Sequence, residues 1–152
     1  MTVYLNGFHG DCSKTFPVGE VDKHAKTLIN VTEESLRKGI EACGPGKWIR
    51  GISHAIHKNA RKHDCTVVPI FLGHGIGDFV HGPPDIYHCL NNYPGQMLPG
   101  MVFTVGPVIS EGDRRVKILS DGWTAITMDN SRTAQIEHTL LVTDSGVEIL
   151  TE

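Results

Sequence analysis

Gly73-His74-Gly75-Ile76-Gly77-Asp78-Phe79-Val80-His81-Gly82-Pro83-Pro84 places two histidines seven residues apart on a glycine-rich turn, a pattern that suits metal and substrate chemistry. The turn ends a β-rich run, Thr66-Val67-Val68-Pro69-Ile70-Phe71-Leu72, in which Pro69 implies an edge or irregular strand. Far upstream, Asn6-Gly7-Phe8-His9-Gly10-Asp11 carries an acidic Asp11, and far downstream Ala134-Gln135-Ile136-Glu137-His138-Thr139 carries Glu137. Oxygen and nitrogen ligands could therefore converge on His74 from separate strands.

Working outward, Val3 to Asn6 and Phe8 to Phe16 read as a hairpin around Gly7, with Asp11 on its second arm. From Asp22 to about Cys43, Ala25, Leu28, Thr32, Leu36 and Ile40 fall at helical spacing, with Asp22 as N-cap and Gly44-Pro45-Gly46 as the stop. A second helix is expected from near Trp48 to Lys62, with Ile49, Ile52, Ile56 and Ala60 on one face. Val102 to Ile109, Thr124 to Met128, Ala134 to Thr143 and Val147 to Leu150 supply the remaining strands. The order of hairpin, two helices and then four or five strands is α+β, not a doubly wound βαβ sheet.

The 152 residues, 39% hydrophobic, suit one globular domain spanning 1–152. A net charge of −3 argues against a nucleic-acid partner, and the absence of a long apolar run argues against a membrane span. A soluble intracellular protein is expected. Cys12, Cys43, Cys65 and Cys89 are scattered without a CxxC pair, which predicts reduced thiols in place of a zinc knuckle or disulfide framework. Cys12 follows Asp11 directly, and alternation along a strand turns it to the opposite face.

Singly, these residues have plainer readings: His74 as a turn histidine, Glu137 as a solvent-facing strand residue, Trp123 as core. Their joint order is more specific. Gly-His-Gly-Ile-Gly at 73–77, His-Gly-Pro-Pro at 81–84, Asp-Gly-Trp-Thr-Ala at 121–125 and Ala-Gln-Ile-Glu-His-Thr-Leu-Leu-Val-Thr at 134–143 resemble the type I methionine aminopeptidases of peptidase family M24 from about Thr2 to Thr151. That resemblance implies a partial pita-bread (creatinase/aminopeptidase) fold, an antiparallel sheet with covering helices, as a catalytic domain that lacks most of the first half. It also implies that the omitted helices and strands leave apolar surface exposed.

In that family two aspartates, one histidine and two glutamates hold two divalent metals. By resemblance Asp11 matches the second aspartate, His74 the histidine and Glu137 the last glutamate. The first aspartate's position falls just ahead of Met1, and the other glutamate's position holds Gly106, in Phe103-Thr104-Val105-Gly106-Pro107. One metal or none is therefore expected, drawn from Co, Mn, Fe or Zn. His9 and His138 flank the ligands as weaker candidates. His81 matches the histidine that contacts the substrate amide and steadies the oxyanion, and Trp123 matches a wall of the methionine pocket. Val80 stands where the family has an aromatic pocket residue.

The function so implied is a metallohydrolase that removes the initiator methionine from nascent proteins, impaired here by Gly106 and the absent aspartate. The alternative is a non-catalytic descendant that binds a nascent amino terminus or a partner protein. The implied partner is the N-terminal Met of nascent polypeptides, with the ribosome as an optional one, without nucleic-acid specificity or a membrane. The implied compartment is the cytoplasm, or an organelle if a transit peptide precedes the chain.

Overall fold

A computed structural model describes residues 1–151 of the chain. Asn6 and Gly7 both take positive φ, 51° and 91°, which gives the tight twist that joins β1 (Thr2–Leu5) to β2 (Phe8–Asp11). Register pairs Thr2 with Asp11 and Leu5 with Phe8, so the acidic residue lies at the far end of the second arm. The hairpin is shorter than its sequence suggested. Beyond Asp11 the Cys12 N–H donates to the Met1 carbonyl at 3.1 Å, and Ser13 then bridges to Glu137.

Helix α1 (Lys23–Glu41) starts where expected, with Asp22 accepting from the Ala25 N–H at 2.9 Å. Helix α2 (Arg50–Lys62) follows the Gly44-Pro45-Gly46 break. Gly39 lets the two helices approach closely, because a Cβ there would lie 3.0 Å from Ile56 Cδ1. Both helices turn their apolar stripes inward. Leu28, Val31 and Leu36 of α1 and Ile52, Ile56 and Ala60 of α2 share one core with Phe103, Ile109 and Leu140 of the sheet.

The strands that follow are β3 (Thr66–Val67), β4 (Gly73–Gly75), β5 (Gly82–Ile86), β6 (Val102–Val105), β7 (Val108–Ser110), β8 (Val116–Ile118), β9 (Ala125–Thr127), β10 (Thr133–Gln135), β11 (His138–Val142) and β12 (Val147–Ile149). A five-stranded sheet runs β12-β11-β6-β4-β5 and a three-stranded one β10-β7-β3; β1-β2 and β8-β9 are separate hairpins, and every pairing is antiparallel. The class is α+β, as the order of elements indicated.

Several boundaries differ from the sequence reading, each for a local reason. The run 66–72 is a strand only over Thr66–Val67, with one further bond from the Val68 N–H to the Val108 carbonyl at 2.9 Å before Pro69, which has no N–H to give. The expected strand 102–109 is cut at Gly106-Pro107, and the expected strand 134–143 is cut at Ile136-Glu137. The two interruptions face each other, because His138 opposite Val105 and Gln135 opposite Val108 keep one register. Glu137 is thus set opposite Gly106. Its own backbone turns to Ser13 instead, donating at 2.9 Å and accepting at 3.1 Å.

Candidate metal centre

Three chain segments distant in sequence bring their side chains together at the end of these strands. Asp11 is fixed through its backbone: its N–H donates to Thr139 Oγ1 at 3.1 Å, and that hydroxyl donates back to the Asp11 carbonyl at 2.7 Å. His74 sits on β4 between two glycines that admit no substitute. A Cβ at Gly73 would fall 2.1 Å from the Thr104 carbonyl, and one at Gly75 would fall 1.9 Å from that of Pro83. The Gly-His-Gly motif therefore lets β4 press against its neighbours and carry the imidazole between them.

The tautomer of His74 follows from its contacts. Nδ1 lies 3.1 Å from the Gly75 carbonyl, which can only accept, so Nδ1 carries the proton and Nε2 the lone pair. Nε2 faces Asp11 Oδ2 at 4.0 Å. The His74 backbone N–H donates to Thr104 Oγ1 at 3.1 Å. Thr104 alternates with Phe103 and Val105, so its hydroxyl turns to the face opposite their core contacts.

Glu137 completes the group and is only 9% exposed. Burial pushes its carboxyl above the usual range and the nearby Asp11 charge adds to this, while the Thr104 hydroxyl and His74 work the other way. One ligand atom each from Asp11, His74 and Glu137 all lie within 4.8 Å of one another. Two carboxylates and an imidazole lone pair at this spacing fit a divalent transition ion, which would offset the charge that burial penalises.

Gly106 offers no fourth side chain, and the structure puts its place to use. The Glu137 side chain lies over it: a Cβ on residue 106 would come within 2.8 Å of Glu137 Cβ and 2.7 Å of its carboxyl carbon. On its other side the Gly106 N–H donates to His88 Nε2 at 3.1 Å, and His88 Nδ1 sits 3.2 Å from the Phe71 carbonyl. His88 is the buried polar residue that sequence reasoning missed. Neither motif nor spacing marks it, and only the fold sets it behind the centre. Burial pushes its pKa down to about 4, which keeps it neutral with the proton on Nδ1.

Of the other candidates, His81 comes to the centre: its ring packs edge-on against His74 with centroids 4.4 Å apart. His81 itself is exposed, so it stands between the buried ligands and solvent. Trp123 lies in the β8–β9 hairpin, 88% exposed, where Asp121 accepts from its backbone N–H. His9 points its Nδ1 at the Gly77 carbonyl at 3.0 Å, and His138 pairs with Thr151 Oγ1 at 3.0 Å. All four cysteines are free, and Cys12 lines an apolar cleft of about 1030 Å³ with α1 residues Leu36 and Ile40 and β12 residues Val147 and Ile149. None of Asp11, His74 and Glu137 lines that cleft.

Such a sheet, with carboxylates and a histidine gathered at its strand ends, is a metallopeptidase scaffold, and the chain belongs to metallopeptidase family M24, whose sequence model matches residues 1–144. Its relatives there are methionine aminopeptidases. Methionine aminopeptidase A of Synechocystis is 49% identical over 99% of this chain and 60% of that protein. Methionine aminopeptidase 1D, chloroplastic/mitochondrial, of Arabidopsis thaliana is 47% identical over 100% of this chain and 43% of that protein. The crystal structure of methionine aminopeptidase from Rickettsia prowazekii superposes with a TM-score of 0.97 at 42% identity, covering 99% of this chain and 62% of the other. The fold is the pita-bread fold, shared with the prolidase from Pyrococcus furiosus at a TM-score of 0.77 and 22% identity. The chain spans between 41% and 60% of the length of the curated relatives it matches.

Proposed function

We propose that this chain is a methionine-aminopeptidase-like metallohydrolase domain whose site holds a single divalent ion and removes N-terminal methionine poorly or not at all. The observation that carries this reading is the Asp11, His74 and Glu137 group, set beside a Gly106 that offers no ligand. When bound, such an ion polarises a carbonyl and lowers the pKa of water. Co, Mn, Fe and Zn all suit one imidazole and two carboxylates.

The remaining roles fall to this chain's own groups. His74 presents the Nε2 lone pair because its Nδ1–H donates to the Gly75 carbonyl. His81, exposed and packed on His74, is placed to donate to a substrate amide or a developing oxyanion at the mouth of the centre. Trp123 contributes to the methionine pocket, with Val80 in place of a larger neighbour. A group that shuttles a proton between water and the leaving amine is wanted where Gly106 stands. Glu137, with its raised pKa, is the carboxyl nearest that position.

The substrate class is the N-terminal Met of nascent polypeptides. The compartment is the cytoplasm or an organelle: relatives carry chloroplastic and mitochondrial names, and no helix among the described residues is long and apolar enough to cross a membrane. Gly106 equally favours a non-catalytic reading, in which the centre binds an amino terminus or a partner protein without cleaving it.

Elemental analysis after dialysis tests the metal count. At most one weakly held equivalent per chain is expected, and two tightly held equivalents would overturn the single-ion reading. Hydrolysis of Met-Ala-Ser with metal supplied is expected to be negligible. Turnover within about tenfold of the Rickettsia prowazekii enzyme would show that a side chain at 106 is dispensable, since a lost general base costs about a hundredfold or more.

A further inference from the structure

The net charge of −3 hides a segregation of cations that only the fold reveals. Helix α2 reads Arg-Gly-Ile-Ser-His-Ala-Ile-His-Lys-Asn-Ala-Arg-Lys and contains no acidic residue. Ile52, Ser53, Ile56, Asn59 and Ala60 are buried. The opposite side carries Arg50, His54, His57, Lys58 and Arg61 within a sector of roughly 100°. Arg114, from the chain after β7, adds its charge to the same place, since it, Arg61 and His54 all depress the His57 pKa once burial has done so.

These cations lack partners. Among the described residues, Arg50, Lys58, Arg61, Lys62 and Arg114 form no ion pair, whereas Arg132, Arg115, Lys38 and Arg37 all do. At the carboxyl end of α2 Glu34 meets His63 at 3.7 Å and Asp64 follows. The stripe is also straight. From Arg50 to Arg61 it extends about 16 Å, at about 1.5 Å per residue, long enough to lie along several phosphates of a strand. At its start Trp48 is half exposed, with the Arg50 guanidinium 4.3 Å from its ring centre. Arg50 lies over one side of this ring, and the part left exposed is an aromatic surface that can stack a base while its phosphates are held.

We propose that the exposed face of α2, with Arg114 and Trp48, binds the phosphate backbone of RNA without reading its sequence. The chemistry favours a nucleic acid over an anionic lipid surface. A helix that binds membranes inserts an apolar face, and the apolar face of α2 is spent on the core. Recognition would be electrostatic, from four permanent cations, so it should weaken steeply with salt. This surface is independent of the metal centre and stands whether or not the centre hydrolyses peptides.

Fluorescence anisotropy with a fluorescein-labelled, mixed-sequence single-stranded RNA of about 16 nucleotides tests the proposal on the full chain. Saturable binding at about 50 mM KCl is expected, with log K falling against log salt at a slope of about −3, as release from about four phosphates requires. The triple variant Lys58→Glu, Arg61→Glu, Lys62→Glu should bind at least about tenfold more weakly. A control variant, Lys23→Glu, Lys26→Glu, Lys117→Glu, changes net charge equally at exposed sites elsewhere and should retain binding to within about twofold. Trp48→Ala should lower affinity without changing the salt slope, because stacking carries no counterion release. No saturable binding, or equal loss in both charge variants, would overturn the proposal. So would binding to phosphatidylserine vesicles that needs the α2 cations while RNA is ignored. Circular dichroism of each variant separates a lost surface from a lost fold.

Discussion

Gly106→Glu in this chain alone is expected to yield no active peptidase and to cost about 1–3 kcal/mol of stability, the usual range for overpacking a filled site. The new Cβ would meet Glu137 at 2.8 Å from its Cβ, an atom fixed to the backbone that cannot swing away as a side-chain tip can. A third carboxylate would also join Asp11 and Glu137 in a site where burial already raises the Glu137 pKa. Metal should recover part of the loss, because a dication offsets the added charge. The outcome should change when more of the scaffold is supplied. A chimaera that places the amino-terminal part of the Rickettsia prowazekii enzyme ahead of Thr2, with its aspartate, should release methionine at least about a hundredfold faster with Gly106→Glu than with Gly106 kept. The carboxylate introduced at 106 and the aspartate supplied by the chimaera would serve one centre, so their effects should appear together. An active peptidase from the short Gly106→Glu chain would show that the aspartate supplied by the chimaera is unnecessary, and that residue 106 alone decides activity.

Much of this arrangement can be read from the sequence where local chemistry fixes it. Asn6-Gly7 gives the expected hairpin turn and Asp22 caps α1, whereas the glycines around His74, read as a turn, prove to be a strand pressed against the Thr104 and Pro83 carbonyls. The Asp11, His74 and Glu137 group is legible because three motifs occur in a fixed order. What is not legible depends on pairings distant in sequence. Nothing local tells that Glu137 gives its backbone to Ser13, and this pairing, with Pro107 opposite Ile136, cuts the two expected strands at one level. Strand β5 escapes pattern reading because Pro83 and Pro84 obscure its alternation. The cations of α2 are visible one by one, yet their common face and unpaired state emerge only when the acidic residues are seen to be placed elsewhere.

His88 is the clearest case of a residue that only the fold identifies, and it carries a sharp expectation for stability. The side chain is 1% exposed and neutral, donating from Nδ1 to the Phe71 carbonyl and accepting the Gly106 N–H at Nε2. Protonation would turn that acceptor into a donor facing another donor. With a folded pKa of about 4 against an ordinary 6.5, the unfolded chain takes up a proton first as pH falls. The stability that His88 provides is therefore complete above 6.5 and is lost progressively between about 6.5 and about 4. By linkage this should remove about 2 kcal/mol between about pH 7 and about pH 4.5, read from urea melts at each pH. Glu137 opposes the trend, since a carboxyl with a raised pKa stabilises the fold as pH falls, so the wild-type slope alone is not decisive. His88→Gln resolves the two. It keeps an acceptor for Gly106 and leaves Glu137 unchanged, but it cannot titrate. Its stability should therefore decline by about 2 kcal/mol less than the wild type's over the same range, whatever it loses at neutral pH. Parallel curves for the two proteins would mean that His88 already carries its proton in the fold, and that it does not accept the Gly106 hydrogen bond on which the placement of β6 beside the centre depends.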